Sequence, residues 1–158
     1  MKYLLIMLML TFSIGCTDKM DASIERSESQ SYLEQKGYHV VSDEGIAESY
    51  VLTKQKIIEL PYMMYWGLQS ANPSDFFNKT IQVHKFIVTN HPLSKKKVDV
   101  YVYLADGKPL GGTSHLRGDT SDGGYWSVDG KTLEELQDKP FQEWRQYWVE
   151  KYSDATQG

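Results

Sequence analysis

The sequence predicts a single α+β domain: an antiparallel sheet of about five strands with helices packed on one face. Three observations carry this expectation. Val98-Asp99-Val100-Tyr101-Val102-Tyr103-Leu104 alternates with period two and runs into Asp106-Gly107, a two-residue turn whose central positions need positive φ, so the chain returns as a hairpin. Helical stretches stand at both ends of the domain, from Ser31 and over 141–152, the second an aromatic-rich stretch with helical spacing. No strand–helix–strand unit repeats, which removes the usual basis for a parallel sheet. The chain has 158 residues, a length that suits one domain.

The amino terminus reads as an address. Lys2 precedes an apolar run through Phe12, then Ser13-Ile14-Gly15-Cys16, which contains the only cysteine of the chain. The run is far short of the ~20 residues that span a bilayer as a helix. It has the charged start, apolar centre and small-residue exit of a secretory signal. Ser13-Ile14-Gly15-Cys16 matches a bacterial lipobox, with Ser13 where Leu is usual. Cleavage between Gly15 and Cys16, with a diacylglycerol on Cys16, is the expectation. Each buried methylene contributes about 0.8 kcal/mol, and two chains hold where one is marginal. The membrane is thus an expected partner through Cys16, and the expected location is the extracytoplasmic face of the cell membrane. Without a second cysteine the mature chain has no internal disulfide, so its stability rests on the core.

Residues 1–15 are therefore expected to be signal, 16–30 a polar flexible tether, 31–152 the domain and 153–158 a frayed tail. A short helix from Ser31 should end at Gly37, which supplies a left-handed position. Tyr38–Val41 reads as a strand, Asp43-Glu44-Gly45 as a turn and Glu48–Thr53 as a second strand. Pro61 suits the first position of the helix through Gln69, a segment apolar nearly all round and hence expected to be buried. Asn72-Pro73-Ser74-Asp75 is loop chemistry, because Pro73 drives Asn72 out of the helical region. Thr80–Thr89 is a long strand rich in β-branched residues. The returning strand, Lys108–Leu116, carries Pro109 and the pair Gly111-Gly112, the mark of an edge or a bulge. Tyr125–Val128 is a last short strand, and Thr132 with Glu135 forms a capping box ahead of a helix. Val98, Val100, Val102, Leu104 and Phe86 are the expected core.

The order Leu60-Pro61-Tyr62 through Leu68-Gln69, then Asn90-His91-Pro92, then Asp106-Gly107-Lys108-Pro109-Leu110-Gly111-Gly112 resembles a domain of unknown function found in small exported or lipid-anchored proteins of Bacillus-like bacteria. The resemblance covers roughly residues 31–136. It rests on structural landmarks and implies no activity or site. Thr113 departs from the pattern, which has an acidic residue there.

Composition narrows the function classes. The net charge is −4, and the signal removes only Lys2 among the charged residues, so the mature chain is more acidic still. Nucleic acid is not an expected partner, since binding it needs clustered Lys and Arg. Lys95-Lys96-Lys97 reads as a solvated turn. His39, His84, His91 and His115 show no zinc spacing, and Asp119 with Asp122 lacks the alternating acids and closing Glu of a calcium hand, so neither a metal nor a cofactor is expected. Neither a Gly-x-Ser-x-Gly elbow nor a Ser-x-x-Lys motif is present. Ser114 and His115 are strand neighbours and should diverge.

Two readings of function follow. The favoured one is a non-catalytic extracytoplasmic module that binds an envelope protein or ligand. The other is a small envelope hydrolase using His84, His91 or His115. The expected interaction surface is the loop 117–124 with the strand after it: Arg117, Asp119, Asp122, Tyr125 and Trp126. Loops held by a rigid sheet carry function, and Tyr and Trp are enriched at binding hot spots. The stripe Phe141, Trp144, Trp148, Tyr152 has an electrically balanced polar face, so packing on the sheet is expected over lying on a membrane.

Overall fold

The computed structural model describes residues 18–118 and 124–153. Gly15, Cys16, Asp119, Asp122 and residues 154–158 lie outside them. The chain forms α1 (Asp18–Gln35), β1 (His39–Val51), α2 (Lys54–Ile57), α3 (Tyr62–Gly67), a 3₁₀ turn (Pro73–Phe76), β2 (Thr80–Thr89), β3 (Val98–Ala105), β4 (Lys108–Leu116), β5 (Trp126–Ser127), α4 (Leu133–Gln137) and α5 (Phe141–Ser153). The five strands pair in chain order, each antiparallel to the next. The α+β class and the antiparallel sheet are thus as the sequence predicts.

Both faces of the sheet are apolar, because β2 and β3 alternate between two cores. Phe86, Val88, Val98, Val100, Val102 and Leu104 point to the back face, where Leu33 of α1 covers them. All five residues expected in the core are at most 1% exposed. Ile81, Val83, Tyr103 and Ala105 point to the front face and meet Ile57, Met63, Trp66 and Leu133 of the helices. Four helices therefore share one face, and α1 lies alone on the other.

Two expectations are corrected. The tether expected over 16–30 is helical from Asp18, and the helix expected to begin near Ser31 is the end of α1. Four serines and two aspartates give it the look of a tether, but its other residues include good helix formers such as Glu and Gln, and Ser29 and Leu33 are fully buried, so packing holds the helix. Gly37 does end the region, at φ +84°, with its amide bonded to Glu34 O. Second, the strands expected on either side of Asp43-Glu44-Gly45 are one strand, β1. Gly45 takes φ +81° and its amide bonds to Asp43 Oδ1 at 2.8 Å, so the turn chemistry is real. It makes one of three bulges in β1, because the long β2 offers pairing partners on both sides.

The rest of the local chemistry falls where it is expected, with small shifts. Asp106 and Gly107 close the β3–β4 hairpin at φ +51° and +73°. The bulge expected near Pro109 sits opposite Tyr103 and Leu104, which pair with Gly111 and Pro109. Thr132 Oγ1 accepts the Glu135 amide while Glu135 Oε2 accepts the Thr132 amide, the complete capping box. Pro61 stands one position earlier than expected, at the N-cap of α3, after a cis Leu60–Pro61 bond. Trp144, Trp148 and Tyr152 of α5 are buried against the front-face helices, and Trp148 Nε1 donates to Ile57 O at 2.9 Å. The aromatic stripe is core, though it packs chiefly on α2 and α4 and not on the sheet as expected, and Phe141 is only partly buried. Among the described residues no helix is long and apolar enough to cross a membrane.

Candidate functional site

The four helices leave part of the front face open, and there the sheet presents tyrosines. Strand alternation puts Tyr101 and Tyr103 opposite in sense to Val100 and Val102. Register then assembles the neighbours: Glu48 of β1 stands opposite Val83, which stands opposite Tyr103, while Tyr101 is flanked by Lys85 and Thr113. The bulge at Ala47 decides the facing of Glu48. Ile46 pairs with His84, a back-face residue, whereas Glu48 pairs with front-face Val83. Without the extra residue the two would share a face.

Two recesses meet here and share Tyr65 and Tyr125. The first, about 490 Å³, is an apolar groove between α3 and α4 with Leu60, Met64, Trp126 and Leu133 on its walls. Leu60 is 62% exposed and Tyr125 37%, and both stand on the wall of this groove. The second, about 190 Å³, lies over the sheet and is walled by Glu48, Tyr65, Tyr101, Tyr103 and Tyr125. Tyr65 meets Tyr125 edge-on at 4.9 Å and Tyr103 at 6.4 Å. Tyr62 Oη donates to Glu48 Oε1, and Tyr50 Oη accepts the Trp66 indole N–H at 3.1 Å. The bond to Glu48, with burial second, pushes the Tyr62 hydroxyl up to about 12. Burial first, then Tyr125, raises Tyr65, and burial raises Tyr103 well above its ordinary value. Tyr62, Tyr65 and Tyr103 thus keep their protons, and Glu48 supplies the one acidic side chain on the cavity wall.

The expected surface is partly assembled. Tyr125 and Trp126 line the apolar groove, and Tyr125 also packs on His115 at 5.4 Å. Arg117 is half-exposed and bonds Asp99 Oδ1 at 3.0 Å, while Lys85 holds Asp99 Oδ2 at the same distance. Asp119 and Asp122 lie outside the described residues.

The histidines occupy separate surroundings. His84 is fully buried on the back face, where desolvation holds its pKa below the ordinary value. His91 is buried beside Tyr38; its Nε2 donates to Val128 O at 3.0 Å and its Nδ1 accepts the Leu93 amide, which makes it a loop staple. His115 is on the front face. Ser114 turns away from it and donates to Ser127 O at 2.7 Å. Among the described residues no group of three His, Cys, Asp or Glu side chains could hold a metal ion.

Sequence reasoning missed Glu48, Tyr65, Tyr101 and Tyr103. The available signal was in β3, whose valines take one face and whose tyrosines take the other; large aromatics on the second face mark a surface that also needs a partner. No protein-family model, no curated protein and no solved structure matches this chain.

Proposed function

We propose that this chain is a non-catalytic binding module held on the extracytoplasmic face of a bacterial cell membrane by a diacylated Cys16. The observation that supports binding is the pair of recesses joined at Tyr65 and Tyr125. A preformed concave surface with exposed aromatic walls resembles ligand and partner sites in general. The support for the anchor is the order of Lys2, the apolar run, the small residues and Cys16. The helix α1 runs from Asp18 to Gln35, and its 18 residues span ~27 Å at 1.5 Å each.

Crosslinking pull-down from intact membranes tests the binding reading. Tyr125→Ala/Trp126→Ala should lose partners that the wild type retains, while its melting profile shows it folded. Identical partner lists would overturn this site. For the anchor, Cys16→Ser should accumulate as unprocessed precursor, and mass spectrometry of the wild type should find the lipid on an amino-terminal Cys16. A soluble wild-type chain cut elsewhere would overturn it.

A further inference from the structure

The smaller recess has a composition that specifies a ligand class. Tyr65, Tyr101, Tyr103 and Tyr125 wall a cavity of about 190 Å³ together with the half-buried carboxylate of Glu48. This is below the ~300 Å³ at which drug-sized sites begin, yet it is several times the ~30 Å³ share of one water. It suits a compact head group better than a peptide or a glycan chain. Tyrosine faces are electron-rich and attract cations, and the attraction grows when the cation is desolvated.

We propose that this cavity is a tyrosine cage for a small organic cation of the alkylammonium class, with Glu48 as its counter-ion. The proposal rests on the binding-module reading and names the ligand of one part of that surface. Three observations carry it. Among the described residues, no lysine, arginine or histidine nitrogen lies within ion-pair distance of Glu48, the one acidic side chain on the cavity wall. Glu48 keeps its place through the Tyr62 hydroxyl, a neutral donor that fixes the carboxylate without cancelling its charge. Tyrosine rings here already take cations on their faces: Lys85 Nζ lies 5.6 Å from the centroid of Tyr101, a wall of the cavity, and Lys56 Nζ 4.0 Å from that of Tyr62, which stands outside the cavity and holds Glu48. Lys85 is held at 3.0 Å by Asp99, a carboxylate it shares with Arg117. The bulge at Ala47 fits the same arrangement, since it lets Glu48 face the tyrosines while Ile46 faces the other way.

Choline, tetramethylammonium and the neutral isostere 3,3-dimethylbutanol distinguish charge recognition from shape. The lipoprotein domain in detergent micelles would be titrated with each and followed by tyrosine fluorescence and calorimetry. Choline and tetramethylammonium should saturate, and the neutral isostere should bind at least tenfold more weakly. Glu48→Gln retains an acceptor for Tyr62 and should weaken choline about tenfold, the effect of roughly 1.4 kcal/mol of lost charge attraction. Tyr101→Leu should weaken it by a similar factor, and an unchanged melting midpoint for either variant excludes misfolding. Should Glu48→Gln melt early, Tyr101→Leu and the isostere comparison still decide. Equal affinity for choline and its isostere, no saturation by either cation, or full binding by a folded Glu48→Gln would each overturn the cage. Failure of all cations with a membrane pull-down still sensitive to Tyr125→Ala/Trp126→Ala removes the cage and leaves the binding module; choline binding with an insensitive pull-down does the reverse.

Discussion

Gly67, the last residue of α3, is expected to resist even a methyl group. A Cβ built there would lie 2.4 Å from Trp144 Cζ2, 2.8 Å from Trp144 Cη2 and 2.7 Å from Leu133 Cδ1. Carbon atoms rest at roughly 3.5–4.0 Å, so the helix and the ring must separate by about 1 Å. Neither moves cheaply: Trp144 is 1% exposed, Leu133 is 3% exposed, and Gly67 O accepts from the Gln137 side-chain Nε2 at 2.6 Å. Helix propensity pulls the other way, with Ala favoured over Gly by about 1 kcal/mol at an interior position and less at the end. Overpacking costs about 1–3 kcal/mol, and two groups closer than 3 Å place this case at the upper end. The net expectation for Gly67→Ala is a loss of about 2 kcal/mol and a fall of roughly 5–10 °C in Tm. Urea unfolding followed by far-UV circular dichroism measures it. Trp144→Phe removes the two ring atoms that collide, so the double variant should cost at least about 1 kcal/mol less than the two singles together. A Gly67→Ala protein as stable as the wild type, or more so, would refute the packing argument.

Gly112 makes a similar case on the sheet. A Cβ there would sit 2.5 Å from Tyr101 O, a backbone atom, so Gly112→Ala should destabilise by about 2–3 kcal/mol in the same urea assay and disturb the β3–β4 pairing beside the cage. Acid should weaken the fold through His84 and His91. Burial lowers both pKa values, so below ~6.5 the unfolded chain binds more protons than the folded one and stability falls as pH falls. Each histidine adds at most about 1.4 kcal/mol per pH unit, and His84→Leu should flatten the slope of ΔG between pH 6.5 and 5, a window set by the ordinary histidine value. An unchanged slope would mean that His84 takes up its proton inside the fold.

What the sequence by itself determined is what short-range chemistry decides. The valine face of β3, the Asp106-Gly107 hairpin, the Thr132–Glu135 capping box and the stop at Gly37 each depend on residues within a few positions, where side-chain period and permitted φ leave one choice. Asp43-Glu44-Gly45 shows the boundary of that logic. A left-handed glycine serves a turn and a bulge equally well, and pairing along the full length of β2 made it a bulge. The α5 stripe likewise suits a membrane surface or a core, and the Ile57 carbonyl waiting for the Trp148 indole settled it. The cage was further still from view. Glu48, Tyr65, Tyr101 and Tyr125 are scattered over the chain; strand register and the phase change at Ala47 put Glu48 and Tyr101 on one face, and α3 and the segment before β5 bring Tyr65 and Tyr125 to it. Register is a property of pairs of distant strands, so only the tertiary structure could bring a carboxylate to the tyrosines.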